Sequence, residues 1–243
     1  MTDATGLIEA PGMLIGGRYV LGEPIAVGGG ATVLRAHDTR LGRDVAVKRP
    51  LIRGVEADAR IRREATILAR CAHPGIVTSL DVVDDGGGAC LVMQLIEGAN
   101  LVQHAKAGAI AREAARGWAL DLCRAVAFLQ ARGIVHGDLK PQHAVVDRAS
   151  GRVMLVDFDR AHEVGASTSA TASGVEAYAA PEILDGAATS LASDRYALGA
   201  VLRWLLGDPA GEVGRLVEGL LDADPASRPP VVSLARAVED ETT

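Results

Sequence analysis

The stretch HGDLKPQHAVVD, residues 136–147, crowds His136, Asp138, Lys140 and His143 into one polar loop. Upstream, AREAARGWALDLCRAVAFLQARG has helical spacing, with Trp118, Leu122, Ala125 and Leu129 as an apolar stripe and Gly133 as its C-cap. Downstream, RVMLVDFD reads as a short strand entering a turn at Asp157-Phe158-Asp159. A loop and a strand end can bring two carboxylates together and let them divide labour. One accepts a proton from a hydroxyl, and the other holds a divalent cation on phosphates. A lysine two residues past the first carboxylate adds positive charge for a transferred group. Taken singly, each aspartate could equally be an ordinary turn residue.

The rest of the chain falls into two compositional halves. From residue 17, RYVLGEPIAV, TVLRAHD and GRDVAVKRP alternate apolar and polar residues between glycine- and aspartate-containing turns, as antiparallel strands do. EADARIRREATILARCA then predicts a helix with Ile61, Ala65, Leu68 and Ala69 on one face, stopped by His73-Pro74-Gly75. IVTSLDVVDD and ACLVMQLIEG are two more strands. Beyond the 136–159 region, SLASDRYALGAVLRWLLG, EVGRLVEGLLDAD and VVSLARAVED are helical, and the small polar run between 159 and 176 reads as a mobile loop. A strand-rich first third with one helix, then a helix-rich remainder, is an α+β protein of two lobes. The boundaries expected are a tail at 1–16, a first lobe at 17–95, a second at 96–238 and a tail at 239–243.

Composition narrows the classes. The 243 residues are 49% hydrophobic and 23% charged, with a net charge of −6, which argues against nucleic acid or an anionic membrane as partner. Cys71, Cys90 and Cys123 have no metal-like spacing and read as reduced core thiols. No uninterrupted apolar run has membrane-spanning length, and Asp3 and Glu9 stand where a signal peptide needs positive charge, so a cytoplasmic location is expected. Of 25 lysines and arginines only three are lysines: Lys48, Lys106 and Lys140. In an arginine-biased chain, a retained lysine marks a place where a compact ammonium is needed, as at phosphate.

Lys48 closes the strand Val45-Ala46-Val47-Lys48, after the glycine-rich turn VGGGATVLRA and before the helix that carries Glu64. Glycines between strands let backbone N–H groups approach a polyphosphate, and a helical glutamate can hold a strand lysine in place. With the order VAVK, HPGIV (73–77), LVMQLIEG (91–98), HGDLKP, DFD, AAPE (179–182), SDRYALG (193–199) and DPASRP (224–229), the chain resembles the bacterial eukaryotic-type serine/threonine protein kinases over residues 17 to 238.

The resemblance implies a two-lobed kinase fold that binds ATP with Mg²⁺ or Mn²⁺ and acts on a protein substrate. It assigns the phosphate loop to Ala26, Val27, Gly28, Gly29 and Gly30. Lys48, paired with Glu64, would touch the α- and β-phosphates. Val33, Ala46 and Val145 would sandwich the adenine, Met93 would stand behind it, and the backbone of Gln94 and Ile96 would bond its edge. Asp138 would be the base, Lys140 the γ-phosphate contact and Asp157 the metal ligand. Glu182 with Arg228 would form a structural ion pair, and Asp194 is matched as a structural residue. Ser167, Thr168, Ser169, Thr171 and Ser173 are candidate autophosphorylation sites.

The chain also departs from the pattern. Ala26 and Ala31 replace the first and third loop glycines, Gly137 replaces the arginine before the base, Asp159 replaces the last glycine of the metal-binding triplet, and Val175 replaces a threonine. The segment DPAGEVG is short for the substrate-docking region. His143 stands where the family has a metal-binding asparagine, and three readings stay open for it: a lost ligand in a dead enzyme, a Mn²⁺-tolerant ligand, or a non-ligating residue of a one-metal enzyme. The alternatives to a protein kinase are a pseudokinase that binds nucleotide or scaffolds partners, and a small-molecule kinase.

Overall fold

The computed structural model describes residues 11–28, 30–166 and 176–241. Gly29, Val175 and the candidate phosphosites Ser167, Thr168, Ser169, Thr171 and Ser173 lie outside the described residues. The chain divides into two compact units, Met1–Ala72 with Val77–Ile96, and His73–Ile76 with Glu97–Thr243.

In the first unit the strands are β1 (Leu14–Ile15), β2 (Tyr19–Val27), β3 (Ala31–Asp38), β4 (Arg43–Pro50), β5 (Ser79–Asp84) and β6 (Ala89–Gln94), with helix α1 (Val55–Ala69) between β4 and β5. They form one antiparallel sheet in the order β1-β2-β3-β4-β6-β5. Strand alternation gives the sheet two different faces. Val45 and Val47 point to one of them and join Ile15, Tyr19, Leu21, Ala36, Cys90 and Val92 in an apolar cluster, edged by Met13, Leu80 and Val83. Ala46 and Lys48 point to the other, where Ala46 pairs with Met93 and Lys48 with Val33. Sequence patterning missed β1, a two-residue strand too short to show alternation.

In α1 the buried residues are Ile61, Glu64, Ala65, Ile67 and Leu68, while Ala69, expected on the apolar face, is exposed. The helix is therefore rotated slightly from the expected stripe, so that Glu64 is turned inward.

The second unit contains β7 (Gly98–Asn100), α2 (Leu101–Ala107), α3 (Arg112–Ala131), β8 (Ile134–Val135), β9 (Ala144–Asp147), β10 (Val153–Leu155), β11 (His162–Glu163), α4 (Pro181–Leu184), α5 (Leu191–Leu206), α6 (Gly211–Leu220) and α7 (Val231–Asp240). Ala115, Ala119, Leu122, Cys123, Val126 and Leu129 bury the inner side of α3. Trp118, expected on that stripe, is only half-buried. Its indole N–H donates to the Gly151 carbonyl at 3.0 Å, a partner the helix interior could not supply. Gly133 takes φ 65° just past the helix and donates to the Gln130 carbonyl, the left-handed ending that glycine allows. Helices α5 and α6 are joined by the few residues between Leu206 and Gly211. All three cysteines are buried thiols outside any disulfide.

Candidate active site

In the first unit, Lys48 on β4 and Glu64 on α1 meet in a closed pair. The Lys48 ammonium stands 2.8 Å from each carboxylate oxygen of Glu64, and the two side chains are only 7% and 1% exposed. Ala26 and Val27 at the end of β2 pair with Val33 and Thr32 on β3, and the Gly28 N–H donates to the Ala31 carbonyl at 2.9 Å to close the turn. Ala46 and Met93 are buried neighbours in register, and the Gln94 N–H donates to the Thr78 carbonyl. Ile96 is the last residue of this unit.

In the second unit the loop after β8 is held from beneath. Asp194, fully buried on α5, accepts the N–H groups of His136 at 2.6 Å and Gly137 at 3.0 Å. Burial pushes its carboxyl up to about 7 against the pull of those two donors. The His136 ring packs on Phe158, with centroids 4.7 Å apart, and burial holds its pKa down at about 4. Gly137 has φ 76°, and a side chain there would place its Cβ 3.1 Å from the Arg160 carbonyl oxygen. A residue with a side chain would therefore be strained at this backbone geometry, and the Arg160 carbonyl would have to give by a few tenths of an ångström.

A single turn of tight helix, Pro141–His143, then swings the loop back. Its exit is fixed by the Val156 N–H, which donates to the His143 carbonyl at 2.9 Å and so ties the loop to the segment leading into Asp157. The result is a cluster of four groups. The Lys140 ammonium donates to Asp138 Oδ2 at 2.8 Å. His143 Nδ1 lies 3.0 Å from the backbone carbonyl oxygen of Asp138, and its Nε2 lies 3.1 Å from Asp157 Oδ2. Burial, followed by the opposing effect of Asp157 and the reinforcing effect of Lys140, leaves the His143 pKa below its ordinary value. Asp157 adopts φ 62°, the only positive φ outside glycine among the described residues, and its side chain is 38% exposed. Backbone strain of this kind collects at functional positions. Val145, on β9, pairs with Met154 and Asn100.

Deeper in the same unit Arg228 makes a two-pronged bond to Glu182, both contacts 2.7 Å, and donates further to the carbonyls of Asp222 and Ala192. Its guanidinium is fully enclosed.

The chain as a whole matches a known family. Residues 19–212 match the protein kinase domain. The chain belongs to the protein kinase family. A Streptomyces coelicolor protein described as a probable serine/threonine-protein kinase is 36% identical over 205 residues, covering 79% of this chain and 30% of that protein. The serine/threonine-protein kinase PknB of Mycobacterium leprae is 35% identical over 206 residues, covering 79% and 33%. The DNA damage-responsive serine/threonine-protein kinase RqkA of Deinococcus radiodurans is 36% identical over 211 residues, covering 82% and 31%. The chain thus resembles the bacterial serine/threonine kinases, and spans about a third of the length of these relatives. Among the described residues, no helix is long and apolar enough to cross a membrane.

Kinase domains of this family use ATP and a divalent ion, and the donors present fit one. Asp157 offers a part-exposed carboxylate and His143 an imidazole beside it. Among the described residues, no group of three or more histidines, cysteines or carboxylates is arranged to cage a metal by itself.

Proposed function

We propose that the domain transfers the γ-phosphate of ATP to serine or threonine hydroxyls of a protein. Lys48, fixed by Glu64, positions the α- and β-phosphates, with Ala26 to Gly30 as the phosphate loop and Val33, Ala46, Met93, Gln94, Ile96 and Val145 around the adenine. Asp138 accepts the proton of the attacking hydroxyl, and Lys140, 2.8 Å from it, carries positive charge toward the transferred group. Asp157 holds the divalent ion, which when bound neutralises charge on the phosphates. The observation that carries this reading is the Asp138–Lys140–His143–Asp157 cluster, in which one imidazole stands 3.6 Å from the Asp138 carboxylate and 3.1 Å from the Asp157 carboxylate. A loop kept only for its shape has no need to place two anions so close together. Glu182, Arg228 and Asp194 are the supports of this unit.

The test is transfer of labelled γ-phosphate from ATP to the protein itself and to a basic protein substrate, with Mg²⁺ and Mn²⁺ in parallel. Asp138→Asn should reduce incorporation by about 10²–10⁴-fold while leaving the melting temperature near wild type. Absence of incorporation with either metal, in folded wild-type protein that binds ATP, would replace this reading with the pseudokinase. Incorporation unchanged in Asp138→Asn would remove Asp138 as the base.

A further inference from the structure

We propose that Arg60 is a positioning residue for the nucleotide: reaching out from α1, it holds the glycine-rich turn at Gly30. One helix then sets both the turn and, through Glu64, the lysine. This rests on the assignment of the turn and of Lys48 to the ATP phosphates above.

The turn is tied to its own sheet by two backbone bonds. The Gly28 N–H donates to the Ala31 carbonyl at 2.9 Å, and the N–H of Leu51, just past β4, donates to the Gly30 carbonyl at 3.0 Å. A third element, α1, reaches the turn through the Arg60 guanidinium. A Cβ built on Gly30 would lie 3.3 Å from Arg60 Nη2, and no other described atom outside the adjoining residues comes within 4 Å of that position. Glycine at 30 is therefore what lets the guanidinium come so close to the backbone of the turn.

Arg60 precedes Glu64 by four residues, the spacing that places two side chains one above the other on a helix. Glu64 is turned inward and meets Lys48 at 2.8 Å, while Arg60 stands at the exposed margin. An exposed guanidinium keeps its hydration and still offers a planar fork of donors to a backbone. Helix α1 thus reaches both parts of this unit assigned to phosphate, and a shift of the helix would move them together.

The experiment is a double-mutant cycle on the full chain with Arg60→Ala, Gly30→Ala and the double variant. It reads the dissociation constant of a fluorescent ATP analogue, KM and kcat for ATP, and hydrogen exchange of the Gly28 amide without nucleotide. Arg60→Ala should raise the dissociation constant and KM by about two- to tenfold, the usual worth of one polar contact, with kcat within about twofold of wild type. Exchange at Gly28 should quicken while that of the α1 amides holds, which a general loosening of the helix would not allow. Gly30→Ala pushes the guanidinium aside and should weaken binding by itself, yet add less than about twofold once Arg60 is alanine. An effect of Gly30→Ala equal in both backgrounds, or an unchanged KM and dissociation constant in Arg60→Ala, would overturn the proposal. With phosphate transfer intact, the kinase reading would then stand without it. Wild type that neither binds the analogue nor transfers phosphate would overturn both. In a protein that binds nucleotide without transferring phosphate, the dissociation constants and the exchange decide the point.

Discussion

Two charge clusters in this protein are built on opposite plans. In the first unit, Lys48 and Glu64 form one cation and one anion, matched prong for prong at 2.8 Å and almost wholly removed from water. Within the pair the two charges cancel. In the second unit, Asp138 and Asp157 supply two negative charges, Lys140 supplies one positive charge, and His143 is held toward its neutral form. That cluster opens to solvent at Asp157, whose side chain is 38% exposed. A closed pair is suited to holding a strand and a helix at a fixed spacing. An open cluster is suited to accepting a cation and a reacting group.

The sharpest way to break this contrast is to remove one member of the closed pair. Lys48→Met takes the ammonium away from a buried carboxylate and should cost about 3–5 kcal/mol in unfolding free energy, read by chemical denaturation. Replacing both partners, Lys48→Met with Glu64→Leu, should recover most of that loss, because an apolar pair needs no compensation. A single variant as stable as wild type would mean that Glu64 finds another partner, and the pair would no longer count as closed. Phosphate transfer should fall in both variants whatever their stability.

A smaller effect is expected in the loop of the second unit. Gly137→Arg restores the residue usual in the family, yet its backbone sits at φ 76° and the new Cβ would meet the Arg160 carbonyl oxygen at 3.1 Å. The variant should lose about 1–3 kcal/mol, the cost of holding a non-glycine residue in a left-handed conformation. A variant more stable than wild type, measured by the same denaturation, would show that the loop relaxes freely, and the rigid support given by Asp194 to the cluster would have to be reconsidered.

The chemical groups of both clusters were legible in the sequence, because lysine, glutamate, aspartate and histidine declare their chemistry wherever they stand. Their order along the chain carried the architecture as well, since alternation and helical spacing are properties of short segments. Orientation was not legible. Whether His143 gives its Nδ1 hydrogen to a neighbouring carbonyl depends on one turn of tight helix at Pro141–His143 and on the Val156 N–H that pins its exit, and neither follows from residue types. The same holds for Gly137, which reads simply as a missing arginine until its φ is known. Ala69 and Trp118 fell on the wrong side of their expected stripes because both lie near the edge of an apolar arc. There a rotation of a few degrees, or one indole hydrogen bond, decides burial.

The least of these effects extends the comparison to another ion pair of the first unit. Arg18 grips Asp38 with two bonds, Nε to Oδ1 at 2.7 Å and Nη2 to Oδ2 at 2.6 Å, and the N–H groups of Arg40 and Leu41 donate to the same carboxylate. The Arg18 bonds, against the opposing effect of burial and helped by those N–H groups, push the Asp38 pKa down to about 2 from its ordinary 3.8. A carboxyl whose folded pKa lies below its unfolded value binds fewer protons when folded. Its contribution to stability is therefore complete above about pH 4 and drains away as pH falls toward about 2. The difference in melting temperature between wild type and Arg18→Met should accordingly be largest near about pH 5 and shrink steadily toward about pH 2. A difference that stayed constant across that window would mean that Arg18 stabilises the sheet through its packing on the Tyr19 ring, 4.9 Å away, and not through charge. In that case the closed plan of the first unit would rest on Lys48 and Glu64, with no support from Arg18 and Asp38.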